Sequence, residues 1–551
     1  MSSTIIMNFF RSLLLFFTIS NASIYAACEE NSIQAIVLVP SKTKLLSPEE
    51  LKDLEGVAAF DVDVPGGTTG LRLALKPIIK NKSFNYETAK KVKEATTKYF
   101  YDQGDPFVLI HIPSQEMSTK VLQLIVIRAQ VGTIKIEGNK YTSDKLLTKH
   151  LPIESGDRIN LQELDRSLYL INLNPFRRVD LIYSPGQDLG STDITMYVQD
   201  RRPYRFYTGF NNSGVDTTNR QRWLAGFTLG NLFDTDQLLS FQYMTSYHFK
   251  RFQAFTIQYI APTYNGQLLT VYGGYSELSA KGSFPLSKSK GKSYQSSFRY
   301  EVPAYTSQGM VRKWYVGFDF KGMNNTIEFS QTFPTVGKTT NLSQFIAGYR
   351  ETHEMSTYRI DMNLEVDWSP GKIFPNETNA DYNSLRPGAK NHWLLARGSV
   401  TYNQDLPLKF NLLLSARGQV SSQNLLPSEQ IGLGGFDTVR GYTERQLNYD
   451  TGILTTVEAH SPKIPVVSAI RGKKMNDALY FLLFMDFGWG VNHNLLPGEP
   501  KSDFLLGTGP GIRYNLNPYV SASLDWGIKL HQQDLFIGGG SMLYFNVLMS
   551  Y

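Results

Sequence analysis

From Tyr204 onward, apolar and polar residues alternate in segments that are separated by turns. Sixteen such segments can be counted, starting near residues 204, 221, 237, 251, 267, 291, 312, 342, 356, 392, 408, 451, 479, 504, 518 and 541. A period of two places every second side chain on one face of a strand. The last segment shows this most clearly, with Leu543, Phe545, Val547, Met549 and Tyr551 on one face. Strands of outer-membrane β-barrels have this pattern because one face contacts lipid and the other faces the lumen.

The lengths of the connections support a barrel. Connections after even-numbered segments tend to be short, and those after odd-numbered segments are often long (323–341, 368–391 and 420–450), with 460–478 as the exception. Short periplasmic turns, long external loops and an even strand count are typical of this class. We therefore predict a sixteen-stranded antiparallel transmembrane β-barrel over residues 203–551. A soluble β-sandwich is disfavoured, because such an outward apolar face would aggregate in water.

Before residue 203, short helical and extended patterns alternate. Ser47-Pro48-Glu49-Glu50 has the signature of a helix start, and a second helix is predicted over Asn85–Gln103. A β-α-α-β-β order occurs twice, which predicts two small α+β domains over residues 27–130 and 131–202. Each is expected to hold a three-stranded sheet with two helices on one face and an exposed edge. Residues 56–83 fit neither pattern and are left as an insertion.

One strand of the second small domain is a candidate for binding an extended chain. It is the run Arg178, Val179, Asp180, Leu181, Ile182 and Tyr183, next to a predicted helix over Asn160–Asn172. Exposed sheet edges pair with extended chains through backbone hydrogen bonds. The alternative is that this strand is only part of the core, since its alternate residues must pack somewhere.

The N-terminus has the features of a secretory signal peptide over residues 1–26. Arg11 precedes the apolar run Leu13–Ile19, and cleavage is predicted after Ala26, with Ala22 or Ala27 as alternatives. The apolar run is too short for a membrane anchor. Lipidation of Cys28 is disfavoured, because Tyr25 stands where a lipoprotein signal has an aliphatic residue.

Composition removes several classes of protein. The chain has 551 residues, 13% of them aromatic, and only one Cys, which excludes a disulfide framework and a Cys-based zinc site. The formal charge of +6 is spread out and forms no basic tract, so no nucleic-acid partner is expected. Neither a catalytic constellation nor a metal-ligand pairing among the eight His is found. The sequence thus predicts a protein that is not an enzyme and that needs no cofactor or metal.

Two short motifs carry candidate chemistry in the barrel region. Val439, Arg440, Gly441 and Tyr442 lie in the connection between segments eleven and twelve, and Phe484, Asp486 and Gly488 lie in segment thirteen. Alternation puts Asp486 on the face opposite the apolar Met485 and Phe487, and so in the lumen. A carboxylate there needs a partner or water, and an Arg on a loop that folds back could bind it with two hydrogen bonds. The alternatives are a solvated acid in the pore and an Arg on a surface loop.

Together these motifs resemble those of the two-partner secretion transporters, the haemolysin secretion/activation proteins of the ShlB/FhaC/HecB type. Upstream, Ile112–Glu116 and Leu122–Val131 look like the end of the family's first POTRA (polypeptide-transport-associated) domain. Ser167–Pro175 and Pro185–Asp193 look like its second. The resemblance extends from about residue 84 to the C-terminus. Two departures are noted: there is little room for the plug helix of the best-known members, so its absence is expected, and Asn174-Pro175-Phe176 stands where many members have Pro-Gly.

The resemblance implies an outer-membrane transporter whose N-terminal domains lie in the periplasm. Its partners would be a secreted exoprotein of the adhesin or haemolysin type, bound unfolded as cargo, the lipid of the outer membrane, and the barrel-assembly machinery that recognises the C-terminal aromatic residue. It also implies that Arg440 docks on Asp486 and holds the loop inside the barrel. A factor that inserts other barrels and a passive porin are the alternatives. The POTRA-like pair disfavours the porin, which needs no periplasmic domains.

Overall fold

The computed structural model describes residues 33–79, 85–105, 107–115, 118–188, 190–263, 266–281, 288–307, 309–328, 339–471, 475–495, 501–531 and 540–551. The predicted signal peptide and Cys28 lie outside these residues. Within them, no helix is long and apolar enough to span a membrane. The chain forms two compact units. Of the described residues, one unit comprises those up to Gly132 together with Ser155–Leu161 and Pro185–Thr192, and the other comprises those in Thr133–Glu154, Gln162–Ser184 and Asp193–Tyr551.

The first N-terminal domain contains a sheet of four strands, one more than the predicted three. The strands are β1 (Ala35–Val39), β2 (Gly56–Ala59), β3 (Val108–His111) and β4 (Val121–Arg128), in the order β2-β1-β4-β3. The additional strand β2 runs parallel to β1 and comes from the stretch that the sequence pattern left unplaced. The described part of that stretch also forms the helix Gly67–Ile79, whose Leu71 and Leu75 are fully buried in the core. Both elements are therefore part of the domain.

Two predicted helix starts in this domain are confirmed. In the helix Pro48–Leu51, Ser47 and Glu50 form a reciprocal capping box. In the helix Tyr86–Asp102, the side chain of Asn85 accepts a hydrogen bond from the Thr88 N–H at 2.8 Å. These bonds satisfy backbone donors that a helix leaves unpaired in its first turn.

The second N-terminal domain has the predicted β-α-α-β-β order. Its strands are β5 (Gln130–Glu137), β6 (Arg177–Pro185) and β7 (Ser191–Asp200), and its helices are Asp144–His150 and Leu161–Ile171. The sheet order is β5-β7-β6, so β6 is an edge strand of this sheet.

The remaining strands close into a sixteen-stranded barrel, as predicted. They are β8 (Tyr204–Asn211), β9 (Arg222–Leu232), β10 (Gln237–Ser246), β11 (Phe252–Pro262), β12 (Leu268–Lys281), β13 (Lys288–Ser307), β14 (Met310–Glu328), β15 (Thr339–Glu354), β16 (Tyr358–Ser369), β17 (Trp393–Asp405), β18 (Asn411–Ser421), β21 (Thr451–His460), β22 (Asp477–Val491), β23 (Ser502–Leu516), β24 (Val520–Lys529) and β25 (Ser541–Ser550). Each starts within three residues of its predicted position. β25 pairs with β8 and completes the ring, so every strand has two neighbours, as a lipid environment requires.

The described connections also contain short elements, among them two strands and two α-helices. The strands β19 (Ile431–Leu433) and β20 (Leu447–Tyr449) pair with each other in the connection between β18 and β21. The helix Asn379–Leu385 lies in the connection after β16, and the helix Val466–Arg471 lies in the one after β21. The helix Val466–Arg471 lies in the connection 460–478, which was the exception to the predicted alternation of short and long connections.

The two faces of the barrel strands differ as alternation predicts. On β22, Leu483 is 65% exposed on the lipid side, whereas its neighbours Leu482 and Phe484 are buried on the lumen side. On β25, Leu543 and Met549 are exposed, whereas Tyr544 is buried. Every second side chain of a barrel strand therefore faces the lumen, where polar and charged groups can contact each other.

A buried charge pair joins the second N-terminal domain to the turn between β9 and β10. The Arg177 guanidinium donates to both carboxylate oxygens of Asp236, at 2.7 and 2.5 Å, and the side chain of Asn174 donates to the same group at 3.0 Å. The Nε2 atom of His150 lies 3.1 Å from that carboxylate. Arg177 and Asp236 are both buried, so neither charge has free access to water.

We predict that Asp236→Ala loosens this joint. Arg177 would remain buried without its partner, at a cost of about 3 kcal/mol. Burial tends to raise the pKa of Asp236, but the hydrogen bonds from His150 and Arg177 outweigh it and lower the pKa. The stabilisation is therefore complete above the unfolded-state pKa, near about pH 4, and is lost as pH falls through the lowered value.

Limited proteolysis of the link around residues 200–203 measures the effect. Asp236→Ala should be cleaved several-fold faster than the wild type. The control is Asp234→Ala in the same turn, where the lost contacts are two exposed hydrogen bonds, one of 2.5 Å from Ser143 and one of 3.0 Å from Asn231. Equal cleavage rates of the two variants would show that Asp236 does not hold the joint.

Candidate functional site

The long connection between β18 and β21, residues 422–450, lies against the inner wall of the barrel. Its Leu433, Val439 and Tyr442 form a buried apolar cluster with Leu454 of β21 and Leu505 of β23. These two wall residues belong to the lumen faces of their strands. The described interior on this side is therefore filled by the chain's own loop, which we call the lumen loop.

The predicted pair of motifs meets inside the barrel. The Nε and Nη2 atoms of Arg440 donate to the two carboxylate oxygens of Asp486 at 2.7 and 2.9 Å, and the Arg440 backbone N–H donates to the same group at 3.1 Å. The guanidinium lies 3.5 Å from the ring centroid of Phe484. Arg440 is 4% exposed and Asp486 is fully buried. Three hydrogen bonds and a cation–π contact thus hold the loop on β22.

Arg440 belongs to a larger group of charges. Its Nη1 atom lies 2.7 Å from Glu458 of β21 and 3.9 Å from Asp525 of β24. Asp525 is itself bound by Arg513 through two hydrogen bonds of 2.6 and 2.9 Å. Burial disfavours the charged form of Arg440, but the hydrogen bonds and charge of Asp486 outweigh it and raise the pKa of Arg440. The loop therefore carries a permanent cation at this point.

The residues after Arg440 fit closely against the wall. Gly441 has a φ of +106°, which favours glycine, and its N–H donates to the Tyr544 hydroxyl at 3.0 Å. The Tyr442 hydroxyl donates to the Leu506 carbonyl at 3.0 Å. Across this contact the wall has a glycine at position 507, where a Cβ atom would lie 2.0 Å from the Arg440 carbonyl oxygen.

Gly488 of the second motif provides space of the same kind. A Cβ atom there would lie 3.0 Å from Val439 and 2.9 Å from Leu454. All seven residues of the two motifs are therefore in one site: Val439, Arg440, Gly441 and Tyr442 from the loop, and Phe484, Asp486 and Gly488 from the wall.

A second ionic contact holds the other half of the lumen loop. Glu429 is 1% exposed, and its carboxylate lies 2.8 Å from the Lys321 amine of β14 and 3.0 Å from the Arg397 guanidinium of β17. Burial tends to raise the pKa of Glu429, but Lys321 and Arg397 outweigh it and lower the pKa to about 2. Sequence analysis did not find this residue, because Ser428-Glu429-Gln430 matches no motif.

A third contact fixes the end of the loop. Asp450 is fully buried, accepts a hydrogen bond from the Leu425 N–H at 2.9 Å, and lies 2.5 Å from the Arg386 guanidinium. Arg386 follows the helix Asn379–Leu385, so a second external connection is tied to the lumen loop. This pair was also not predicted.

The candidate cargo-binding run lies in β6, at the edge of the second domain's sheet. Val179 donates its N–H to the Asn172 side-chain oxygen at 2.7 Å and accepts from the Asn172 side-chain nitrogen at 2.9 Å. Arg178 and Asp180 lie 3.6 Å apart on the exposed face, next to Ile182. Burial, together with the nearby Asp165, raises the pKa of the Tyr183 hydroxyl. This run is far in sequence from the loop site and forms a separate candidate.

We predict that Arg440→Ala and Asp486→Ala each free the lumen loop. Each change removes the same bidentate contact and leaves the other charge without its main partner, at about 3 kcal/mol for complete burial and less in a wet lumen. In planar bilayers, each variant should spend at least tenfold more time in high-conductance states. The double variant should be little worse than either single one, because the contact can be lost only once.

The matched control is Arg417→Ala, which removes a lumen-side guanidinium that binds the loop at the Asp437 carbonyl, 2.6 Å away. It should change conductance little. Effects of Arg440→Ala and Asp486→Ala that simply add would show that the two residues act independently.

A separate prediction concerns Glu429. Glu429→Gln keeps the shape of the side chain but removes the charge that Lys321 and Arg397 bind, so residues around 426–433 should exchange amide hydrogens about tenfold faster. Exchange at 439–442 should not change, because the Arg440 contact remains. Asp437→Asn, an exposed acid of the same loop, is the control. Equal acceleration at both sites would show one cooperative loop rather than two independent contacts.

Comparison with known proteins identifies the family of the chain. The family described as haemolysin secretion/activation protein ShlB/FhaC/HecB matches residues 190–514, and the POTRA family, described as surface antigen variable number repeat, matches residues 129–201. The heme/hemopexin transporter protein HuxB of Haemophilus influenzae strain 86-028NP is 22% identical over 434 residues, covering 75% of this chain and 73% of HuxB. The outer membrane transporter CdiB of Dickeya dadantii strain 3937 is 23% identical over 427 residues, covering 75% and 72%.

Solved structures show the same fold. CdiB from Escherichia coli superimposes with a TM-score of 0.77 at 17% identity, covering 97% of this chain and 93% of CdiB. CdiB from Acinetobacter baumannii superimposes with a TM-score of 0.70 at 18% identity, covering 99% and 97%. The family match spans more than half of the chain and includes both motifs of the lumen site. The chain therefore belongs to the ShlB/FhaC/HecB family of haemolysin secretion/activation proteins, outer-membrane transporters that secrete a partner protein, and its POTRA domains lie in the periplasm.

Proposed function

We propose that this protein captures one unfolded partner in the periplasm by adding a strand of it to β6, and then secretes it through the barrel. The observation that carries the proposal is the position of β6 at the edge of the POTRA sheet. An edge strand presents backbone donors and acceptors that pair with any extended chain, so it binds an unfolded protein with little dependence on sequence. A secreted adhesin or haemolysin is the kind of cargo that the family suggests.

The direction of the backbone groups on β6 supports the proposal and defines the contact. In an antiparallel ladder, the N–H and C=O of one residue point to the same side, and successive residues alternate. The N–H and C=O of Val179 both bind the Asn172 side chain, so these two backbone groups point away from β7. The backbone N–H and C=O groups of Arg178, Asp180 and Ile182 then face β7. Those of Leu181 point outward, like those of Val179. Among the described residues, nothing pairs with the outward N–H and C=O of Leu181.

The lumen loop fits the second step. Its contacts at Arg440, Glu429 and Asp450 hold it in the barrel while no cargo is present. A transported chain needs this space, so transport requires at least part of the loop to move. Beside the apolar cluster around Val439 and Tyr442, the loop is held by ion pairs and hydrogen bonds, and such contacts can re-form after the cargo has passed.

A backbone test distinguishes strand addition from side-chain binding. Leu181→Pro removes one outward N–H and no bond to β7, and Pro is tolerated at such positions of an edge strand. We expect it to reduce the secreted partner at least tenfold in the native host, with normal barrel in the membrane by heat-modifiable migration on gels. Leu181→Ala, which keeps the N–H, should secrete nearly normally.

Two outcomes would contradict the proposal. Normal secretion by Leu181→Pro would show that β6 does not pair with cargo. Loss of many other outer-membrane barrels in a strain lacking this protein, with no specific loss from the medium, would instead support the alternative of an assembly factor.

A further inference from the structure

The side chain of Asn172 occupies the place of a neighbouring strand at one residue of β6. Its oxygen accepts the Val179 N–H at 2.7 Å, and its nitrogen donates to the Val179 carbonyl at 2.9 Å. These are the two bonds that a residue of an added antiparallel strand would make. The primary amide therefore imitates a peptide group, and it shows that this edge can bind one.

We propose that Asn172 is a removable cap that determines where an extended segment of the partner pairs with β6. The inference rests on the proposed function and adds a positioning residue to it. With the cap in place, pairing starts at Leu181, the next residue whose backbone groups point outward. When the Asn172 side chain moves aside, the same segment can extend to Val179.

The position of Asn172 in the fold lets the side chain move without unfolding its helix. The residue directly follows the helix Leu161–Ile171, and its backbone N–H remains bound to the Leu168 carbonyl at 3.0 Å. Its side chain is exposed, so water can replace the two bonds to Val179. Neutral hydrogen bonds of this kind contribute little net free energy, and an incoming strand replaces both.

A purely structural role is the competing explanation, because the same two bonds also tie the end of the helix to β6. Thermal stability alone does not separate the roles, since loss of a cap and loss of a tether both lower it. The identity of the backbone groups that a bound peptide protects does separate them. A tether leaves that set unchanged, whereas removal of a cap enlarges it.

The test uses the full chain in detergent micelles and residue-resolved amide hydrogen exchange. In the free protein, the Val179 amide should exchange slowly, and at least tenfold faster in Asn172→Ala, while the Leu181 amide exchanges fast in both. The probe is a soluble twelve-residue peptide of alternating Val and Thr with a Lys at each end. It should protect Leu181 alone in the wild type, and both Leu181 and Val179 in Asn172→Ala, which should bind it about tenfold more tightly.

The control peptide has the same sequence with N-methyl groups on alternate residues and should protect neither position. Should Asn172→Ala lose protection across the whole domain, Asn172→Asp replaces it. The carboxylate still accepts the Val179 N–H but cannot donate to the carbonyl, so peptide affinity should rise by less than tenfold.

The outcomes distinguish the role of Asn172 as a cap from the binding of the partner by β6. If the peptide protects Leu181 in both proteins with the same affinity and never reaches Val179 in the variant, the cap is wrong and capture by β6 stands. If the peptide protects Leu181 in neither protein, capture at this edge is wrong, and the cap is wrong with it.

Discussion

A guanidinium buried inside a membrane barrel is the constraint on which the lumen site depends. Arg440 has lost its water, so its charge must be matched by the wall, and Asp486 and Glu458 do this within 2.7 Å. The contact also requires the loop backbone to touch the wall, which explains glycine at position 507, where a side chain would collide with the Arg440 carbonyl. Three features of the wall therefore fit one loop residue, Arg440: the acid Asp486 and the aromatic Phe484 of β22, and the glycine at position 507 of β23.

Two charged residues of the lumen loop each contact wall side chains of the opposite sign. Glu429 meets the basic Lys321 and Arg397, whereas Arg440 meets the acidic Asp486 and Glu458. A loop inserted with its two halves exchanged would place the Glu429 carboxylate against the carboxylates of Asp486 and Glu458. Buried like charges cost several kcal/mol, so this arrangement excludes the wrong orientation as well as favouring the right one. The ion pairs therefore serve specificity as much as stability.

The parts of the structure that sequence analysis predicted are those where a period is imposed from outside. Lipid on one side and water on the other force alternation on each barrel strand, so the strand starts and the inward direction of Asp486 follow from the sequence. The lumen loop has no such period. The partners of Glu429 are about 30 and 110 residues away, and only the closed ring brings them together.

The alternation of apolar and polar residues also could not predict very short strands or the directions of backbone N–H and C=O groups. β2 has four residues, too few to establish a period, and it was left as an insertion. On β6, alternation tells which side chains share a face, but the N–H and C=O groups point within the sheet, at right angles to the side chains. Whether Asp180 or Leu181 offers its backbone to a partner is decided by which residue already has one, and here the Asn172 bonds to Val179 decide it.

The barrel and the POTRA sheet meet opposite demands with the same element. In lipid, an unpaired strand edge has no solvent for its polar groups, so the barrel closes. In the periplasm, an open edge is useful for binding an extended chain, but it also invites pairing with the wrong one. A proline or a buried charge would block such an edge permanently, and it would also exclude the strand addition that we propose for the cargo. In our proposal, a neutral amide that imitates a peptide group satisfies the edge and still yields to a strand, because the strand offers the same two bonds and further bonds at the neighbouring residues.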